Sequence, residues 1–147
     1  MDRTDIQIMN LLQENAKLPV KDIGAAVGLS APAVAERINR LREADVISGF
    51  HAKVNDAKMG NGIAAFVSVN VPPAEYASFC AFCEEEPSVA EHHHIIGLNN
   101  ALIRVRVPDT EALEELLARI RRFGLSNTSV LLSTYFTQKS FPEKEER

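Results

Sequence analysis

The chain has 147 residues, of which 46% are hydrophobic, and a formal net charge of −4. That length suits one sizeable domain or two small ones, and the composition is that of an ordinary soluble globular protein. The charged start MDRTDIQ argues against a secretory signal, no apolar run nears the ~18 residues of a membrane span, and two cysteines make no disulfide framework, so a cytoplasmic protein is expected.

Residues 4–15 place Ile8, Met9 and Leu12 on one helical face, and Leu18-Pro19 closes that helix because a residue before proline avoids helical backbone. Ile23 and Val27, four apart, give a second helix its buried side. Gly28 then supplies a sharp turn. Ser30 is a natural N-cap for a third helix over Ala31–Ala44, with Pro32 in its first turn. Val34, Ile38 and Leu41 face a core, while Ala33, Glu36, Arg37 and Arg40 fall toward the other side. Two short helices joined by a tight turn form a helix-turn-helix, a shape used mainly to place one helix in the major groove of DNA. On that reading the contact set is Lys21, Ser30, Ala31, Pro32, Ala33, Glu36, Arg37 and Arg40. Glu36 accepts from a cytosine amino group or pairs with Arg40 four residues on.

Residues 1–55 hold seven Lys/Arg and seven Asp/Glu, and the rest hold nine and thirteen. A neutral head gains little from counterion release, which supplies most non-specific DNA affinity, so several linked copies are expected.

Residues 46–54, VISGFHAKV, alternate as a strand leaving the small domain, and NDAKMGNG over 55–62 reads as a linker. Strands are then expected at 63–71, 89–96, 101–107 and 129–136, with helices at 74–86 and 110–123. That βαββαβ order is a ferredoxin-like unit. In 101–107, Ile103, Val105 and Val107 alternate with Leu102, Arg104 and Arg106, so one sheet face packs the helices. The other is left with Phe66, Leu102, Leu131 and Tyr135 among Arg and His, a surface suited to a second copy. The fold class is α+β: an N-terminal helix-turn-helix (winged-helix-like) domain over 1–45, a strand and linker over 46–62, a ferredoxin-like domain over 63–138, and a charged, frayed tail over 139–147.

Cys80 and Cys83 lie on the apolar stripe of a helix, so they read as core thiols rather than a redox pair. His92, His93 and His94 cannot all converge on one ion from a strand, because alternate side chains point to opposite faces. They read as a polar stripe on the partner-facing side, with a site built on His92 and His94 as the metal-responsive alternative. No nucleophile elbow, P-loop or HExxH pattern is present, so no enzyme is expected.

Several segments together resemble the Lrp/AsnC family of transcription regulators over nearly the whole chain. They are D-x-x-D at Asp2 and Asp5, the GLS turn at Gly28–Ser30, AVAERINRL at Ala33–Leu41, DVISGFHAKVN at Asp45–Asn55, and a glycine loop at Gly97 within the βαββαβ order. The resemblance implies double-stranded DNA as partner and dimers assembled into tetramers or octamers. It also implies an amino acid or related small molecule bound between dimers near the glycine loop, here Gly97, Leu98, Asn99, Asn100 and Ala101, with no further cofactor and no metal. The family loop often reads Gly, Asp, aromatic, Asp, Tyr, and this chain lacks both acids and the aromatic, so no carboxylate remains to pair with an ammonium. An architectural DNA-wrapping protein of low sequence choice is the other reading of the same head, and a small-molecule-binding module with a vestigial head is a third.

Overall fold

The computed structural model describes residues 1–142, and the chain divides into two compact units, one of residues 1–53 with 136 onward, the other of residues 54–135.

In the first unit, three helices pack on one another: α1 (Arg3–Glu14), α2 (Val20–Val27) and α3 (Ala31–Glu43). Helix α1 begins at a capping box: the Asp2 carboxylate accepts from the Asp5 N–H (2.8 Å) and the Asp5 carboxylate from the Asp2 N–H (2.9 Å). It ends at Asn15, ahead of the Leu18-Pro19 stop that the sequence suggests. Gly28 caps α2 with a φ of +70°, a left-handed backbone that a side chain would strain. Ser30 Oγ accepts from the Ala33 N–H and starts α3. Ile8, Leu12, Ile23 and Val34 form the core, flanked by a second cluster of Ile6, Met9 and Leu41. The connection from α2 to α3 is tight: a Cβ on Gly24 would lie 2.5 Å from the Leu29 carbonyl oxygen.

Residues 46–54 are not a strand, contrary to their alternation. A strand needs a neighbour for its N–H and C=O groups, and this segment joins no sheet. Of it, Val46 and Ile47 donate back to the Leu41 carbonyl, closing α3. The tail is tied down rather than frayed at one described point: the Asn10 amide donates to the Phe141 carbonyl (2.9 Å) and accepts from its N–H (2.8 Å). Residues 143–147, the rest of the expected frayed tail, lie outside the described residues.

The second unit is an antiparallel sheet in the order β2-β3-β1-β4, built from β1 (Ile63–Asn70), β2 (Val89–His94), β3 (Ala101–Val107) and β4 (Leu125–Val130). Helices α4 (Tyr76–Glu85) and α5 (Thr110–Ile120) join its strands in the βαββαβ order. Ala65, Val67 and Val69 of β1 face Val105, Ile103 and Ala101 of β3. They bury against Phe79 and Cys83 of α4 and Leu113, Leu116 and Ile120 of α5. The opposite face pairs Ala64, Phe66 and Ser68 with Arg106, Arg104 and Leu102, all half-buried.

The last strand sits four residues earlier than its apolar run suggests. Val130 already pairs with Ala65, and Leu131 makes one more bond to Ala64 before β1 runs out. Leu131 and Tyr135 therefore do not belong to the sheet face, although Phe66 and Leu102 do. No helix among the described residues is long and apolar enough to cross a membrane.

Candidate nucleic-acid interface

Burial divides α3 sharply. Val34 and Leu41 are buried and Ile38 is half-buried, which marks one side of the helix. The opposite meridian then runs through Pro32, Glu36, Asn39 and Glu43, all exposed, with Arg40 and Arg42 exposed on its flanks. Lys21 of α2 and Ser30 are also exposed, and Ala31 and Ala33 are half-buried at the helix start.

Arg37 does not lie on that outward meridian. Its Nη1 donates to Asp2 Oδ2 and to Asp5 Oδ1, both at 2.7 Å. The Arg37 hydrogen bond holds the Asp2 carboxyl below its ordinary range, and the two carboxylates raise the guanidinium further. Asp5 is only 3% exposed, so this is a buried carboxylate satisfied across 32 residues of chain. Arg37 thus ties the start of α1 to the middle of α3. Arg40 reaches the same carboxylate at 3.5 Å but stays 61% exposed. The i,i+4 pair between Glu36 and Arg40 does not form, because Arg40 turns to Asp5 instead. Nothing local in the sequence marks Asp5 as buried or pairs exposed Asp2 with Arg37, whereas the outward position of Asn39 follows from counting turns away from Val34, Ile38 and Leu41.

The loop between β2 and β3 is equally informative. Asn100 is fully engaged: its side chain accepts from the Val71 N–H (2.9 Å) and donates to the Val71 carbonyl (2.8 Å), as a strand neighbour would. Tyr76 Oη donates to the Asn100 carbonyl (3.3 Å). Asn99 donates to Ser68 Oγ (3.2 Å), and Ala101 is buried in β3. Of the five loop residues singled out by the sequence, Gly97, at φ +154°, and Leu98, 95% exposed, remain open. A cleft of about 480 Å³ lies beside them, lined by His94, Ile95, Ile96, Gly97 and Asn100.

The histidines separate as strand geometry demands, but their assignment to the partner-facing side is corrected. His92 and His94 share the face of buried Ile103 and Ala101 and turn toward α4. His92 sits edge-on to Phe79 (ring centroids 5.3 Å), and His94 lies 4.9 Å from Tyr76. Burial, then the neighbouring His93 and His94, push the His92 pKa down. Only His93 joins the open face, beside Glu91. Among the described residues no three His, Cys, Asp or Glu side chains gather as a metal site. Cys83 is buried and its thiol is pushed up to about 12 by burial, with Cys80 adding to it, so it is an inert core thiol. Cys80 is half-buried and also free.

A capped, braced helix with a polar outward side, reached through a tight glycine turn, defines a helix-turn-helix protein, here joined to a ferredoxin-like domain. Residues 1–42 match the AsnC-type helix-turn-helix domain, and residues 64–141 match the Lrp/AsnC ligand binding domain. The chain belongs to the Lrp/AsnC family of HTH-type transcriptional regulators, and is a regulator rather than an enzyme. It is 33% identical to the HTH-type transcriptional regulator YezC of Bacillus subtilis over 96% of this chain and 100% of that one. Its fold is that of the Bacillus subtilis LrpC structure (TM-score 0.87, 23% identity, 94% of this chain and 99% of that one). It is likewise that of a Neisseria meningitidis transcriptional regulator solved with L-Met (TM-score 0.87, 23% identity, 97% and 96% covered).

Proposed function

We propose that this protein is a cytoplasmic, sequence-specific regulator that inserts α3 into the major groove of operator DNA. The observation that carries this reading is the outward side of α3: exposed, polar, and held rigidly from behind by the core and by the Arg37 brace. Residues 1–45 supply the head. Ser30, Ala31, Pro32 and Ala33 bring the helix start, with its free N–H groups, against phosphate. Lys21 and Arg40 add backbone contacts, and Glu36 accepts from a base amino group. Arg37 serves by placing α3 rather than by touching DNA.

Residues 63–138 pair two copies through the open sheet face, where Phe66 and Leu102 lie among Arg104, Arg106 and His93. Pairing two heads offsets the weak electrostatics of a neutral one, and further assembly gives tetramers or octamers. The effector is an amino acid or a related metabolite held between dimers at Gly97 and Leu98. The L-Met complex of the Neisseria relative supports that class. With Asn99 and Asn100 already bonded and no acid in the loop, main-chain groups do the recognising.

The test is fluorescence anisotropy of the full chain on operator DNA over a range of salt. Replacing Lys21 and Arg40 together by Ala is expected to shallow the salt slope by about two, one per lost phosphate contact. An unchanged slope and affinity would remove α3 from the interface.

A further inference from the structure

We infer that Asn39 is the residue of α3 that reads an adenine in the operator, and that Arg37 reads no base. The inference rests on the proposal that α3 enters the major groove, and it names the chemistry read there.

Three observations lead to it. The outward meridian of α3 is Pro32, Glu36, Asn39 and Glu43, set by the buried Val34 and Leu41 on the other side. Proline offers no side-chain donor or acceptor. Glu36 and Glu43, one turn before and after, repel phosphate, so this strip of helix faces base edges and leaves the backbone to Arg40 and Arg42 on the flanks. Second, the arginine nearest the middle of the helix is anchored to the start of α1: Arg37 Nη1 is held by two carboxylates at 2.7 Å. Pulling it out would leave Asp5, which is 3% exposed, without its main partner. Third, the Asn39 carboxamide is exposed and makes no hydrogen bond among the described residues. It brings one donor and one acceptor to the groove at no cost in broken contacts.

Chemistry then chooses the base. A carboxamide matches adenine, whose N7 accepts and whose N6 amino group donates, in a bidentate pair. Guanine presents two acceptors and calls for a guanidinium, and none stands on this meridian. Glu36, an acceptor only, suits the cytosine amino group. The face reads exocyclic amino groups, those of adenine at Asn39 and of cytosine at Glu36.

The experiment is selection of bound sequences from a randomised duplex pool by the full-length protein and by Asn39→Ala, with affinities then measured on the selected duplex and on its single-base variants. Asn39 is exposed and unbonded, so the variant keeps the wild-type thermal transition. The wild-type protein is expected to select an adenine that Asn39→Ala no longer distinguishes. About tenfold to a hundredfold discrimination is lost at that one position, with the salt slope unchanged. Arg37→Ala, in contrast, weakens every sequence alike and lowers the thermal transition. A variant that still selects the same adenine, or loses affinity equally on all duplexes, overturns the assignment while leaving α3 in the groove. A wild-type protein without base preference overturns both the assignment and the reading beneath it.

Discussion

Replacing Arg37 by Met removes the link between α1 and α3 while keeping most of the side chain's apolar stem. Asp5 is then a carboxylate, 3% exposed, with the Asp2 N–H at 2.9 Å and Arg40 at 3.5 Å as its remaining partners. Breaking a buried ion pair from one side costs about 3–5 kcal/mol. Arg37 is a quarter exposed and Arg40 can move closer, so the expected loss is reduced to about 2 kcal/mol. The loss is local, which makes native-state hydrogen exchange of the full chain the right assay: about 2 kcal/mol is roughly a 30-fold drop in protection of the α1 and α3 amides, with β1 and β3 unaffected. Adding Asp5→Asn removes the stranded charge, and the Asn carbonyl still accepts from the Asp2 N–H. The double variant is therefore expected to recover much of the protection, since replacing both partners of a buried pair is far milder than removing one. Unchanged protection in Arg37→Met, or a double variant worse than the single, would refute the brace.

Other consequences follow from the same geometry. Gly24→Ala sets a helix-propensity gain of about 1 kcal/mol against a Cβ 2.5 Å from the Leu29 carbonyl, a backbone contact that cannot swing away. Overpacking of that kind costs about 1–3 kcal/mol, so a lower midpoint in urea unfolding of the α-helical signal is expected, and a raised midpoint would contradict the tight turn. His92 has a folded pKa lowered mainly by burial. On acidification below its ordinary value near 6.5 the unfolded chain takes up a proton first, so stability falls with pH in that window, and His92→Phe flattens this part of the profile. Burial would raise the Glu86 pKa, but its hydrogen bonds to Arg119 and Ser88 outweigh it and hold it low. Its contribution is present above the ordinary carboxylate range and is lost as pH falls through the lowered folded value, so Arg119→Ala is most costly at neutral pH and least in strong acid. Phe66→Glu on the open sheet face is expected to lower the assembly mass seen by sedimentation, and an unchanged mass would place the interface elsewhere.

Much of this was legible in the chain because its signals are local. Gly28, Ser30 and the spacing of Val34, Ile38 and Leu41 define the second and third helices, since caps and helical period need only near neighbours. Strand β3 was equally clear from its strict alternation. Features that depend on distant partners were not. The burial of Asp5 has no local signal, because the arginine that satisfies its carboxylate lies 32 positions away. Residues 46–54 have the composition of a strand but no strand neighbour among the described residues. The polar start of β4, Leu125–Thr128, carries no local strand signal, because its register is set by pairing with β1. In the loop after β2, only the folded structure reveals that Asn99 and Asn100 spend their amides on Ser68 and Val71.

Recognition of a particular DNA sequence by a neutral head through α3 is tested by binding of the protein to the DNA upstream of its own gene and to a scrambled duplex of equal length, at two salt concentrations. Selective binding to the upstream DNA is expected, weakened by salt on both duplexes while the preference persists. Equal affinity for the two, with only the salt dependence remaining, would contradict it and leave a protein that wraps DNA without reading it.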